Sequence, residues 1–389
     1  MVGRAGGRVG GQGRRNPRGP RTRLARRNRG RGGQRRGCGF RRPVLPRPAR
    51  TRAVTPHAEV SIDVDLVRAL LREQHPDLAE APLVLAAQGW DNVQVRIGDD
   101  LAARLPRRAV AVPLLENEVR WLPTLAPLLP VAVPSPLRTG RPGAGYPWPW
   151  AVVGWHDGVR AADRPRASRS AWAAELAAAL AALHVAAPVD APHNPVRAVP
   201  LADRDQALTE RLRGADDLAW ALEVWRRGVA APSWPGPPVW VHGDPHPGNV
   251  LVTVGGATDP GVDGGKRSDG GERSDGGERS DGGERSDSGD TLSALLDFGD
   301  LSAGDPACDL AAAWLHLDDA GRTTFVAAYD RAAGSAVDTD PGRWARAAAW
   351  AVSMASSVLV MAPDDATNTP WARGALAELR RSAALTERA

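Results

Sequence analysis

Fourteen residues, Val239-Trp-Val-His-Gly-Asp-Pro-His-Pro-Gly-Asn-Val-Leu-Val252, constrain this chain more than any other segment. Their apolar ends read as two buried strands. The interval between is too rich in proline and glycine to be helix. It must be a tight turn, and it gathers His242, Asp244, His246 and Asn249 on one loop. Such residues also build ordinary β-hairpins, so this segment alone leaves a plain turn open.

A second segment decides between the two. Leu295-Leu-Asp-Phe-Gly-Asp300 sets Asp297 at the end of an apolar strand. Asp244 and Asn249 have the spacing of a kinase catalytic loop, in which the aspartate aligns an acceptor hydroxyl and the asparagine binds magnesium. A strand-end carboxylate before Phe-Gly can hold the Mg²⁺ that bridges nucleotide phosphates. Asp297 lies 48 positions beyond Asn249, too far for one hairpin. Residues 256–290, however, carry GGKRSD once and GGERSD three times over Gly264–Asp287, and such a repeat cannot bury a core. Without that insert the separation is 13, so both ligands fall on neighbouring strand ends and the insert hangs from the hairpin tip. Calcium binding by the repeat is disfavoured by the arginine in every unit.

The flanking sequence supplies the supporting parts. In Gly304-Asp-Pro-Ala-Cys-Asp-Leu310, Asp305 reads as a helix cap and Asp309 as support for the polar turn. Upstream, a helix over Ile62–Glu73 precedes strands at Leu83–Ala87, Val93–Ile97 and Leu101–Leu105. Gln88-Gly-Trp-Asp-Asn92 joins the first two strands, where a loop above phosphates is needed. Arg104 on the third strand can grip phosphate bidentately, and Glu118 in the helix Leu114–Leu125 is its natural partner; taken singly, the two also read as an exposed strand-edge arginine and a solvated helix glutamate. Ala151–Trp155 reads as a buried strand, and Ala151–Gly154 is placed to link two lobes. From Asp163 onward helices dominate, including Ala171–His184, Pro306–Leu317 and Arg343–Met361. His184 reads as structural, and Trp148, Trp150 and Trp350 as packing residues.

The net charge of +5 averages two unlike pieces. Residues 1–53 hold eighteen of the fifty basic side chains and no acidic one, leaving 32 basic against 45 acidic on residues 54–389. The arginine-rich start has no hydrophobic period, so disorder is expected there. It reads either as a nucleic-acid-binding arm or as a non-native extension from a start codon assigned too far upstream. An acidic body suits a cationic substrate better than a nucleic acid. Cys38 and Cys308 form no disulfide framework or metal spacing. No apolar run follows the basic start, and Ala347–Ala362 is shorter than the roughly 20 residues of a membrane span. A cytoplasmic protein with no membrane partner is expected.

In order, QGWDN, RLPRR, Glu118 with Trp121-Leu-Pro123, HGDPHPGN, DFGD and GDPACDLAAAW resemble the aminoglycoside phosphotransferase family, a branch of the protein-kinase-like fold, over residues 60–380. The resemblance implies an α+β, two-lobed fold. Residues 54–155 would form a small nucleotide-binding lobe of mixed β and α structure, and residues 156–389 a larger, mostly helical catalytic lobe. It also implies ATP (or GTP) and Mg²⁺ as cofactors and a small-molecule hydroxyl as acceptor. Asp244 would be the catalytic base, with Asn249 and Asp297 as magnesium ligands. Arg104 would be the phosphate-binding cation, Glu118 its ion-pair partner, and Gly89 and Asn92 part of the loop above the phosphates. His242, His246 and Asp309 would support the turn. Arg104 stands where lysine is usual, which is similar to the macrolide branch, and Pro245 replaces a larger apolar residue. Aminoglycosides are the leading acceptors, consistent with an antibiotic-resistance role, and macrolides or an endogenous metabolite the alternative. Asp318, Asp319, Asp364 and Asp365 are placed to meet a polycation or to lie in plain acidic loops. A rival of another class is a non-catalytic nucleotide-binding module with an RNA-binding tail. The intact Asp244, Asn249 and Asp297 set argues against it.

Overall fold

The computed structural model describes residues 57–255, 289–334 and 339–386. The arginine-rich start and the hexapeptide repeat therefore lie outside the described residues. The fold is α+β, with a sheet-based N-terminal part and a helical C-terminal part.

The N-terminal part is a five-stranded antiparallel sheet of order β1-β2-β3-β5-β4. Its strands are β1 (Leu83–Gln88), β2 (Asn92–Ile97), β3 (Leu101–Pro106), β4 (Pro136–Gly140) and β5 (Trp150–Gly154). Helix α1 (Val64–Gln74) starts at Asp63, whose carboxylate accepts the Leu66 N–H at 2.9 Å. Alternation along the strands then gives the sheet two faces. Val95, Ala103, Leu105 and Val152 pack with Val67, Leu70 and Leu71 of α1. Ala102, Ala151 and Val153 pack with Leu115 of helix α2 (Val112–Leu125). Arg104 has the parity of Ala102, so its side chain turns toward α2. That parity brings it to Glu118.

Strand β4, in the proline-rich passage, was not anticipated. It is an edge strand, where a proline costs the sheet no inner hydrogen bond. The strand expected at Ala151–Trp155 is β5, and Ala151–Val153 is paired on both sides, to β3 and to β4, so this stretch is not the linker. The chain leaves the sheet at Trp155, whose N–H bonds the Asp100 carbonyl at 2.7 Å. The connection runs through Trp155–Gly158 to β6 (Val159–Arg160).

Helices α3 (Ala173–Leu183), α4 (Asp205–Arg213), α5 (Ala221–Ala230), α8 (Asp319–Ala333), α9 (Arg343–Met361) and α10 (Thr369–Thr386) build the C-terminal part. Helix α9 is long and apolar enough to cross a membrane by length and composition, yet it forms the centre of this core. It packs against α5 and α10, and Ala347, Trp350, Ala351 and Val352 are fully buried. Its buried Arg346 is met by Asp305 and Asp340, each at 2.7 Å. Asp305 also accepts the Ala307 N–H at 2.9 Å, so it caps and pairs at once. The helix expected over Pro306–Leu317 is broken into α6 (Ala307–Leu310) and α7 (Ala312–His316).

Short strands carry the two polar turns. β7 (Val239–Val241) pairs with β10 (Ser302–Gly304), while β8 (Val250–Thr253) pairs with β9 (Thr291–Leu295) and with β6. The β8–β9 hairpin opens at Thr253 and Thr291. At its neck Asp290, fully buried at its side chain, accepts the Gly255 N–H at 3.1 Å and Arg164 Nε at 2.9 Å. Gly255 lies so close to Gly289 that a Cβ would sit 2.4 Å from its carbonyl carbon. The neck is closed by its own contacts.

Candidate active site

Register brings Asn249 and Asp297 together. Val250 pairs with Leu295, and the Leu296 N–H bonds the Asn249 carbonyl at 2.8 Å. Asn249 ends the turn just before β8, and Asp297 follows Leu296 just beyond the end of β9. Asn249 Nδ2 donates to the Asp244 carbonyl at 3.0 Å, which fixes its amide and leaves Oδ1 available. Asp297 adopts a left-handed backbone, φ 58, one of few non-glycine residues here to do so. Its carboxyl is half exposed. These are hard oxygen donors, suited to Mg²⁺. Among the described residues no group of three His, Cys, Asp or Glu side chains could hold a metal alone. A Mg²⁺ here would complete its shell with phosphate and water, as this ion commonly does.

The Arg104 guanidinium is 3 % exposed and forks onto Glu118, with Nε and Nη2 each 2.8 Å from a carboxylate oxygen. Nη2 also reaches Asp297 Oδ1 at 2.7 Å. Burial works against the Arg104 charge, but Glu118 and Asp297 overcome it and hold the group firmly protonated. For the half-exposed Asp297 partial desolvation works upward, and the Arg104 charge and hydrogen bond still bring its carboxyl below the ordinary range. Burial pushes the Glu118 carboxyl up to about 7 against the pull of Arg104. One cation thus serves two carboxylates from different parts of the fold.

Gly89 and Asn92 close a tight turn between β1 and β2, with the Gly89 N–H on the Asn92 carbonyl at 2.9 Å. The remaining arginines of the Arg-Leu-Pro-Arg-Arg run hold this turn. Arg107 donates to the Gly89 carbonyl at 2.7 Å, and Arg108 pairs with Asp91. Sequence reading gave them no role.

The Asp244 turn is braced from beneath. Asp309, fully buried, accepts the His242 N–H at 2.6 Å and the Gly243 N–H at 2.8 Å. His184 Nε2 lies 3.2 Å from Asp309, and its Nδ1 lies 2.9 Å from the Tyr329 hydroxyl. A carboxylate only accepts, so Nε2 carries the proton and Tyr329 donates to Nδ1. His184 therefore does more than fill space. Gly243, φ 87, passes against the Asp300 backbone, where a Cβ would meet the carbonyl oxygen at 2.5 Å. Only glycine fits there.

His242 Nε2 donates to the Leu296 carbonyl at 2.9 Å, tying the two turns together. His246 stacks on Trp371 at 4.7 Å and points Nε2 at Asp244 Oδ2, 3.7 Å away. Burial lowers its pKa and favours the neutral ring. Sequence reasoning missed Arg197, which lies 3.5 Å from Asp244 and 3.3 Å from Asp300. Its loop between α3 and α4 has no periodicity to mark it. Two strand-end turns thus converge on Asp244, Asn249 and Asp297, and Arg104 joins the sheet to them.

Against known proteins, the match is one of family and fold. The model of the phosphotransferase enzyme family matches residues 83–264 and 286–350. No curated protein matches the chain. The solved GDP complex of wild-type aminoglycoside 2'-phosphotransferase-IIIa is 16% identical, covering 80% of this chain and 97% of that one, with a TM-score of 0.52. The GDP and kanamycin complex of APH(2")-IIia is 18% identical over 81% and 97%, with a TM-score of 0.52. Macrolide 2'-phosphotransferase type I is 21% identical over 83% and 98%, with a TM-score of 0.50. At these identities the solved structures speak for the fold. The family model spans both the sheet that carries Arg104 and the turns that carry Asp244, Asn249 and Asp297, and the chain belongs to the phosphotransferase enzyme family.

Proposed function

We propose that the protein transfers the γ-phosphoryl group of ATP or GTP to a hydroxyl of a small molecule. The observation that carries this reading is the meeting of Asp244, Asn249 and Asp297 from turns 48 positions apart, with Arg104 reaching Asp297 from the sheet. Asp244 orients the acceptor hydroxyl and receives its proton as the oxygen bonds to the γ-phosphorus. The bond from that phosphorus to the β,γ-bridging oxygen breaks, and the nucleoside diphosphate leaves with that electron pair. Arg104, held by Glu118, grips the nucleotide phosphates, and the Gly89–Asn92 turn covers them. Asn249 and Asp297 would hold Mg²⁺, which would supply neutralisation of the phosphate charge. Positioning and fixed charge supply most of the rate. Dependence on a nucleoside triphosphate suits a cytoplasmic enzyme.

Aminoglycosides are the first acceptor class to test, since solved relatives in fold include a kanamycin complex. A second reading, macrolides, is favoured by the state of the acidic residues. Asp318 caps the Gly321 N–H at 3.0 Å, Asp319 pairs with Arg322, and Asp365 accepts the Thr367 and Asn368 N–H groups. Three of the four carboxylates expected to meet a polycation are thus already engaged. The test is diphosphate release by the full chain with Mg²⁺ and ATP or GTP, across aminoglycosides, macrolides and small amino alcohols. One class should stimulate release and gain a phosphate by mass. No stimulation by any of them, with no Mg²⁺-dependent nucleotide binding, would sink the reading.

A further inference from the structure

Arg197 lies outside every motif that marks the site, in the loop joining α3 to α4. Its Nη2 faces Asp244 Oδ1 at 3.5 Å, and its Nε faces Asp300 Oδ2 at 3.3 Å. Those two nitrogens form one edge of the planar guanidinium, so a single rigid fork addresses both carboxylates. The other Asp300 oxygen accepts Asn194 Nδ2 at 2.7 Å, and Asn194 Oδ1 accepts the Val196 N–H at 2.9 Å. This segment therefore holds Asp300 by the Asn194 hydrogen bond and sets one charged edge of Arg197 between Asp300 and Asp244.

This segment is itself anchored on both sides. The Ala303 N–H bonds the Pro192 carbonyl, and the Asp305 N–H bonds the Ala198 carbonyl, each at 3.0 Å. Ala198 takes a left-handed backbone, φ 54, an unfavourable conformation for alanine that persists only where the surroundings impose it. Gly304 passes so near that a Cβ there would sit 2.2 Å from the Ala198 oxygen.

The second Asp244 oxygen has a partner too. His246 Nδ1 accepts the Gly248 N–H at 2.9 Å, so in the neutral ring the proton is on Nε2, which faces Asp244 Oδ2. Separations of 3.5 and 3.7 Å orient a carboxylate without saturating it with short hydrogen bonds. A carboxylate so held can still accept a proton.

We propose that Arg197 is a positioning residue for phosphoryl transfer, setting the angle of the Asp244 carboxylate by bracing it against Asp300. This rests on the reading of Asp244 as the base. Simple charge balance among the carboxylates is the competing role, and lysine separates the two. A lysine keeps the charge but cannot present two donors on one fixed edge.

The test uses the full chain carrying Arg197→Lys, Arg197→Gln, Asp300→Asn or the Arg197→Gln/Asp300→Asn pair. Mg²⁺-dependent ATP and GTP hydrolysis with water as acceptor is measured, with thermal melting and ADP and GDP affinity beside it. Arg197→Gln should lower kcat tenfold or more while nucleotide KM stays within twofold. Arg197→Lys should restore melting to the wild-type temperature and leave kcat low. The double variant should be no slower than Arg197→Gln alone, because both act through one contact. Arg197→Lys turning over within twofold of wild type would overturn the proposal, as would losses that multiply in the double variant. Should Arg197→Gln fail to fold, Arg197→Lys and Asp300→Asn decide the matter. Asp244→Asn, run alongside, separates the two levels. If it retains wild-type turnover, the base assignment falls and the proposal with it. If it is dead while Arg197→Gln is unimpaired, only the proposal falls.

Discussion

Replacing Asp309 by asparagine changes one atom's chemistry and almost no volume. The carboxylate now accepts three donors: Oδ2 takes the His242 N–H and His184 Nε2, and Oδ1 takes the Gly243 N–H. An amide can offer its oxygen to only one side. In the better orientation the Gly243 N–H faces an NH₂ group, donor against donor, in a fully buried place. A hydrogen bond to a charged group contributes about 1.5–3 kcal/mol, and an orphaned buried donor costs about 1–3 kcal/mol. We therefore expect Asp309→Asn to destabilise by about 2–4 kcal/mol, a melting shift of about 4–8 °C for a domain of this size. The same change releases the turn that carries Asp244. Second contacts of this kind are worth about 10–100-fold, so nucleotide turnover should fall by that factor with diphosphate affinity kept. Differential scanning fluorimetry and steady-state kinetics read the two effects. Melting within about 1 °C of wild type together with kcat within twofold would refute the argument that these bonds hold the turn, since each predicted loss is several times larger.

Two further outcomes follow from the same geometry. Deleting residues 256–288 and joining Gly255 to Gly289 should leave turnover unchanged and the melting temperature equal or slightly higher, because the neck closes by its own contacts and a shorter loop costs less entropy; a tenfold loss of turnover would show that the insert reaches the site. Arg104→Lys should raise the nucleotide KM or lower kcat about tenfold, since one ammonium cannot fork onto Glu118 and reach Asp297 together; kinetics indistinguishable from wild type would show that charge alone suffices.

What could be read from the sequence is what neighbours along the chain determine. The strands on either side of the Asp244 turn, and the Asp297 turn that completes the site, announce themselves through apolar runs and turn residues. Strand parity would have brought Arg104 to Glu118, because Ala102 and Arg104 share a face. The rest depends on contacts between distant segments. Arg197 sits in a loop without period, and only the packing of Pro192 and Ala198 against β10 and the turn after it brings it to Asp244. Arg346 reads as one residue of an apolar helix, yet it joins Asp305 to Asp340. The left-handed backbone at Asp297 has no local marker, since aspartate rather than glycine occupies it. Strand β4 was hidden by prolines that its edge position tolerates. Ala151–Trp155 carries the apolar run of a buried strand, but composition does not mark where that strand ends and the link between the lobes begins.

The most direct test of the central claim is γ-phosphate transfer by the wild type and Asp244→Asn, each with Mg²⁺, ATP or GTP and an acceptor from the panel. Nucleotide binding is measured on the same samples. The account predicts that the variant binds nucleotide as the wild type does and loses turnover by about 10²–10⁴-fold, the range attributable to a positioned base. Turnover above a tenth of wild type, with binding intact, would contradict it.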